Sequence, residues 1–345
     1  MGITTFIATT GKGLTRATLG DNGKWSTEAL LSGTRVWSLA YDENTVYAGT
    51  GNGVLRSDDR GQTWQAAGLE NHIIRSLATT RAQPGKVFAG TRPPMLFASH
   101  DRGDNWHELE SFAAARQWWW FTPAGRPFNQ PYVLGLTVSP TDPDVIVAGI
   151  EFGAVLRSGD GGMTWSKHPK GADRDCHSIT FNALDGSWIY QGGGGSAALS
   201  SDGGTTWKSF GPANLFAAIL EGFGKPIPRN GLDRHYGWAA AGDPHKPHIW
   251  YFSASFSPMR AHGNAGEAQA HIFRCQDGEP FEKLSGGLPD PLPHMPYALI
   301  TDIDNAGHVY AGMSNGDIWH TRDYGDSWAQ LDLNVGGIHR QMIGF

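Results

Sequence analysis

Ser57-Asp58-Asp59-Arg60-Gly61-Gln62-Thr63-Trp64 decides the fold of this chain, because the octet comes back four more times. It returns at Ser99–Trp106 (SHDRGDNW), Ser158–Trp165 (SGDGGMTW), Ser200–Trp207 (SSDGGTTW) and Thr321–Trp328 (TRDYGDSW). The shared pattern, S/T-x-D-x-G-x-[T/N/S]-W, describes a tight hairpin turn. Its Ser/Thr and Asp side chains can bond turn amides, its glycine takes a backbone angle that other residues resist, and its tryptophan has area to pack between neighbouring units. A turn repeated in every unit is what a structural hairpin requires. The box aspartates are therefore read as fold and not as catalytic acids.

Working outward from the octet, one phrase recurs: an apolar strand, a strand like VYAGT, a glycine turn, a strand like VLRS, the octet, then a short last strand. It is complete in Val36–Ala40, Val46–Thr50, Val54–Ser57 and Trp64–Ala67. Four short antiparallel strands per repeat make the blade of a propeller. The octet tryptophans are spaced by 42, 59, 42 and 121 residues, so the last gap holds two blades. One of these carries an eroded box, Arg274-Cys275-Gln276-Asp277-Gly278, with Phe281 in the tryptophan's place. A second eroded box, Asp21-Asn22-Gly23-Lys24-Trp25, belongs to a blade that starts directly at its second strand, Phe6–Thr9. The prediction is an all-β, seven-bladed β-propeller forming a single domain over residues 1–345. The C-terminal Ile338-His339-Arg340-Gln341-Met342 matches Ile73-Ile74-Arg75-Ser76-Leu77, so the tail is expected to complete blade one and remove its open edge.

The phrase VYAGT…VLRSxDxGxTW resembles the BNR/Asp-box repeat propellers across essentially the whole chain. That superfamily includes sialidases, xyloglucan-active glycosidases built from two seven-bladed propellers, sortilin-type receptors and the photosystem II assembly factor type. The resemblance implies the fold and a sialidase-like or glycosyl hydrolase-like texture, without carrying over a catalytic apparatus. No Arg-Ile-Pro motif of the sialidase kind is present, seven blades are counted where sialidases have six, and a single propeller cannot supply the facing aspartates of the two-propeller enzymes.

Composition narrows the partners. A net charge of -6 argues against a phosphate-backbone binder, so no nucleic acid is expected. No run reaches the length of a membrane span, and the opening MGITTFIATTGKG shows no signal peptide; the expectation is a cytoplasmic protein with no membrane partner. Cys176 and Cys275 make neither a disulfide framework nor a metal pattern, so no cofactor and no metal are expected.

Topology says where function lies. With strands lettered A to D from the axis outward, the A–B and C–D turns share one face, while the B–C turns and blade-to-blade links share the other. The long insertions, about 107–131, 208–235, 253–270 and 282–296, all fall on that second, decorated face. Long loops on one end of a rigid scaffold are where binding residues concentrate. The carboxylates and histidines there, Glu151, Asp175, His177, Asp233, His235 and Glu267, are the candidate catalytic groups. Aromatic rings that stack sugars and arginine forks that grip carboxylates give the candidate ligand contacts: Arg35, Arg75, Trp118, Trp119, Tyr132, Tyr236, His294, Tyr297 and Arg340. Trp37 is read as packing between blades, and His177 first as a buried, hydrogen-bonded histidine. Gly192–Gly195 has the look of an anion cradle, but no helix follows it, which excludes a P-loop.

Two function classes fit these residues. One is a rigid propeller that binds a glycan, a small anionic molecule or a protein partner on the decorated face. The other is a glycan-active enzyme at the central mouth. A hydrolase needs two carboxylates about 5–9.5 Å apart. A polysaccharide lyase needs a base such as His177, His235 or Tyr236 beside an arginine or metal. A flat apolar face at Trp118–Trp120 would point to a protein.

Overall fold

Seven antiparallel sheets surround a central axis in this computed structural model, which describes residues 2–115, 130–211 and 229–345. Six of the sheets have four strands; the Val133–Val138, Ile146–Ile150, Val155–Ser158 sheet has three. There the expected outer strand is reduced to bonds such as Ser166 N–H to the Arg157 carbonyl, 2.8 Å. The second strand of each blade is buried along its whole length, as in Thr45–Thr50 and Val87–Arg92, because neighbouring blades cover both of its faces. Outer strands such as Gln65–Ala66 and Lys208–Ser209 are exposed at the rim.

The octets build the turns that the sequence predicts. Ser57 Oγ donates to Asp59 Oδ1 (2.7 Å) and accepts the Gly61 amide (2.7 Å), while Asp59 accepts the Thr63 amide (2.8 Å) and hydroxyl (2.7 Å). Gly61 sits at φ 83°, in the left-handed region, and a Cβ there would lie 2.3 Å from Ile7 Cδ1 of the preceding blade. The tryptophans cross the blade boundary: Trp106 donates to the Ala67 carbonyl of the preceding blade at 2.7 Å. In the eroded blade, Phe281 is buried against Trp250, Phe210 and Phe273 and does the tryptophan's packing.

The ring closes through both chain ends. Met342–Gly344 pairs with Thr5–Thr9 in the register Phe6–Gly344, Ile7–Ile343, Ala8–Met342, as the innermost strand of blade one. The matched segment Ile338–Met342 lies mostly ahead of this strand and crosses the mouth, with the His339 amide on the Thr9 carbonyl at 2.8 Å.

The glycine of the VYAGT phrase sets the spacing between blades. A Cβ on Gly49 would come within 2.3 Å of Ser38 Oγ and 2.7 Å of Ile74 Cγ2 on the next blade's inner strand. Gly90 meets Val133, Gly149 meets Cys176 and Gly312 meets Ile338 in the same way. Close blade contact at these glycines brings the inner strands together around a narrow axis.

Candidate functional site at the central mouth

Inner strands carry a bulge opposite that glycine. In blade two Val36 faces Thr50 and Ser38 faces Gly49, leaving Trp37 as the extra residue. The same shift frees Arg75, Leu134, His177 and Tyr297, and a shift between Gly237 and Ala240 frees Trp238. Arg340 holds the corresponding position ahead of the closing strand, between the His339 and Gln341 bonds to Thr9. A bulge re-aims one side chain and ends regular pairing. All of these bulges lie at the start of their strands, on the decorated face. Below them runs an axial cavity of about 330 Å³ whose wall is mixed, with Leu39, Leu77, Leu136 and Leu299 contributing apolar surface and His177, Trp238, Tyr297 and Arg340 also lining it.

Trp37 is the platform for three guanidinium groups. Arg35, Arg75 and Arg340 lie 3.8, 4.1 and 5.2 Å from its ring centroid, and Arg75 is sandwiched by Tyr132 at 3.9 Å on its other side. Cation–π attraction holds such stacks, but it does not satisfy N–H donors. Arg75 is 4 % exposed, yet its Nε and Nη2 find no hydrogen-bond partner, and neither do Nε and Nη1 of Arg340. Burial, then the charge on Arg340, lowers the Arg75 pKa from 12.5 to about 9, so the group stays cationic at neutral pH. His339 is driven down to about 4 by burial and by the same arginines.

On the opposite side of the mouth are acids and a histidine. His177 Nδ1 bonds the Gly237 carbonyl at 2.7 Å, and its Nε2 lies 3.5 Å from Asp175 Oδ1, with the side chain 1 % exposed. Burial opposes a charge on this ring, but Asp175 and then Glu151 outweigh it and hold the pKa up at about 9. Asp173 accepts the Asp175 amide (3.0 Å) and the Gly195 amide (2.9 Å), and burial next to Asp175 raises its carboxyl to about 6. This explains the Gly192–Gly195 run. A Cβ on Gly194 would lie 1.9 Å from Asp175 Oδ2, and one on Gly193 would lie 2.4 Å from Asp173 Oδ2. The glycines make room for carboxylates; they do not cradle an anion.

A relay of rings joins the two halves. His262, on the short helix Pro258–His262, bonds Tyr236 Oη through Nε2 (2.7 Å) and Tyr297 Oη through Nδ1 (2.6 Å). Tyr297 donates to the Ala261 carbonyl at 3.0 Å, so His262 Nδ1 carries the proton and Nε2 accepts from Tyr236. Desolvation, with His177 and Arg340 nearby, drops His262 to about 4 and keeps it neutral. Burial pushes the Tyr297 phenol up to about 12 and the Tyr236 and Tyr132 phenols further still. A second cavity of about 330 Å³ lies beside the mouth, between residues 260–266 and 336–339; His262 lines it, and Tyr297 lines both cavities.

The structure sorts the candidates read from the sequence. Arg35, Arg75, Tyr132, Glu151, Asp175, His177, Tyr236, Tyr297 and Arg340 gather at the mouth. Four others do not. Asp233 bonds His271 Nδ1 (3.0 Å) and Arg234 (3.0 Å), pinning the blade-six link, and Glu267 pairs with Arg260 (3.2 Å) inside its own loop. His294 lines neither cavity. His235 is buried where blade six begins and also lines neither cavity. Trp118 and Trp119 lie outside the described residues. Trp37, expected as blade packing, is the arginine platform, and Trp238 and Asp173 join the site without having been singled out.

Seven blades around a mouth of arginines, aromatics and buried acids define a β-propeller with a polar axial site. A family model described as the DUF6242 beta propeller domain matches residues 3–117, about a third of the chain. The GH74 xyloglucanase from Xanthomonas campestris aligns with a TM-score of 0.58 at 20 % identity, over 86 % of this chain and 45 % of that one. This chain therefore spans less than half of that enzyme's length. YCF48 bound to a D1 peptide aligns at 0.56 and 14 % identity, over 87 % and 83 % of the two chains. YCF48 from Cyanidioschyzon merolae aligns at 0.55 and 13 %, over 88 % and 87 %. At these identities the likeness is one of fold. Comparison with curated proteins gives no match.

Proposed function

We propose that this propeller is a binding protein of the BNR/Asp-box kind whose central mouth takes a small ligand with a carboxylate on a sugar-like ring. The carrying observation is Arg75: a buried guanidinium, stacked on both faces, whose Nε and Nη2 have no partner. A buried donor without a partner is costly, and a carboxylate is the group that an arginine fork matches best. Arg340 supplies a second fork, while Trp238 and Tyr297 offer ring faces beside it. The solved neighbours include a xyloglucanase and a propeller holding a peptide, so a glycan and a protein are both partner classes that related folds accept. The unpartnered guanidinium donors of Arg75 and Arg340 favour the small anion.

An enzyme at the same mouth is the second reading, and the His177, Tyr236 and His262 arrangement favours elimination over hydrolysis. Donor atoms of Glu151 and Asp175 lie within 4.8 Å of each other with His177 beside them, closer than the about 5–5.5 Å of retaining glycosidases.

Calorimetric titration with D-glucuronate, against neutral D-glucose, tests the binding reading. Glucuronate binding that weakens about 10–100-fold in Arg75→Met and in Arg340→Met is expected, the loss of a charge-assisted pair. Equal binding of both sugars, no binding of glucuronate or N-acetylneuraminate, or binding unchanged in both variants would refute it.

A further inference from the structure

We propose that Glu151, Asp175 and His177 form a divalent-metal site of one imidazole and two carboxylates, suited to a first-row ion such as Zn²⁺ or Mn²⁺. The inference does not depend on the ligand reading above. The three residues come from two blades: Glu151 from the turn after Ile146–Ile150, Asp175 and His177 from the start of Cys176–Phe181. One ligand atom from each lies within 4.8 Å of the others. His177 and Glu151 are buried and Asp175 nearly so.

Three features favour an ion over a simple charge cluster. First, the Gly237 carbonyl fixes the His177 ring through Nδ1 and turns Nε2 toward the carboxylates, the outer-shell arrangement that metal-bound histidines show. Second, the Nε2 to Oδ1 separation of 3.5 Å is too long for a good hydrogen bond. It does suit two ligands of one ion: bonds of about 2.1 Å at a tetrahedral angle place their atoms about 3.4 Å apart. Third, Asp175 Oδ1 is buried and accepts no hydrogen bond. The Asp175 backbone is fixed on both sides, with its amide on Asp173 Oδ1 at 3.0 Å and its carbonyl accepting the Gly194 amide at 2.9 Å. A carboxylate oxygen that faces an oriented imidazole nitrogen only across 3.5 Å offers, with Glu151, a donor set with the chemistry to take a cation, which would displace the proton that Asp175 and Glu151 hold on the ring. Mixed nitrogen and carboxylate donors select Zn²⁺ or Mn²⁺ over Mg²⁺, which prefers an all-oxygen shell. With three protein ligands, the remaining positions would be open toward the mouth.

The test uses the full chain stripped with a chelator, titrated with Zn²⁺ by calorimetry and with Mn²⁺ by loss of the free-ion electron paramagnetic resonance signal. One ion per chain is expected, weakened at least tenfold in Glu151→Gln and in Asp175→Asn and unchanged in Asp233→Asn, whose carboxylate serves His271 instead. Circular dichroism of the metal-free variants checks their fold. Should both site variants unfold, anomalous scattering from Zn²⁺-soaked crystals of the unaltered chain decides. An ion within about 2.3 Å of all three donors supports the site, and an ion only elsewhere overturns it. No uptake of either metal by the folded chain, or uptake unchanged in both site variants, also overturns it.

Discussion

Arg75→Met should make the ligand-free protein more stable, although it removes a residue at the centre of the mouth. Arg75 is 4 % exposed, and burial beside Arg340 takes its pKa from 12.5 to about 9. At about 1.4 kcal/mol per pKa unit, keeping that charge in the folded state costs about 5 kcal/mol. A basic group with a lowered folded pKa imposes this cost in full below about pH 9, and the cost fades as pH rises toward 12.5. Stacking on Trp37 and Tyr132 offsets about 1–2 kcal/mol per ring. Methionine keeps most of the volume and an apolar contact with both rings. The balance is a gain of about 1–3 kcal/mol for the variant, or a few degrees in Tm for a chain of this size. Differential scanning calorimetry at pH 7 without polyvalent anions measures it. Saturating glucuronate should then reverse the order, because only the unaltered chain gains ligand stabilisation. A variant that melts below the unaltered chain without ligand would show that Arg75 is satisfied in the native state, and the reasoning from its orphaned nitrogens would fail.

Two further outcomes follow from the scaffold. Deleting residues 338–345 removes the Ile7–Ile343 pairing and the Gln341 carbonyl that accepts the Thr9 amide at 2.9 Å, exposing a buried strand edge. The melting temperature should fall by about 10 °C or more, or the protein should aggregate; an unchanged melt would refute closure through the tail. Acid should unfold the ring through its octets. Hydroxyl and amide donors hold Asp59, Asp101, Asp160 and Asp323 at about 2, below the ordinary 3.8. A depressed carboxyl contributes stability above its unfolded pKa and loses it as pH falls through the folded one. Tm measured from pH 7 downward should therefore hold until about pH 4 and decline toward pH 2. A decline complete above pH 5 would assign acid sensitivity to other groups.

What the sequence made legible is what local geometry dictates. The octet specifies its own turn, because Ser57, Asp59, Gly61 and Thr63 satisfy one another within eight residues. The seven blades and the closing tail followed from counting those turns. The site was legible only where position on the decorated face was enough, as for Arg75, His177 and Arg340. Asp233 and Glu267 look equally chemical in sequence, but each has a neighbour that neutralises it, His271 and Arg234 for one and Arg260 for the other. Such pairings depend on how the links fold back, which no spacing rule supplies. Trp37 misled for a different reason. In VWSLAY it reads as one more apolar residue of an inner strand, and only the bulge against Gly49 takes it out of the alternation.

That bulge is how a repeating fold makes a site that does not repeat. Packing fixes the second-strand glycine, because the next blade's inner strand lies against it in blade after blade. Packing leaves the bulged residue out of the strand pairing and free of the glycine contact that fixes the second strand, although neighbours still touch it, as Trp37 and Tyr132 stack on Arg75 and the Gly237 carbonyl bonds His177. Around the ring this position reads Arg340, Trp37, Arg75, Leu134, His177, Trp238 and Tyr297: two cations, three aromatics, a histidine and one aliphatic residue. Chemistry so varied at a structurally equivalent position is what a ligand would impose and blade packing would not. The same asymmetry separates the mouth into an arginine side, blades one to three, and an acid and histidine side, blades four and five. The two ligands proposed above, an anion and a metal ion, would therefore draw on different residues of one opening.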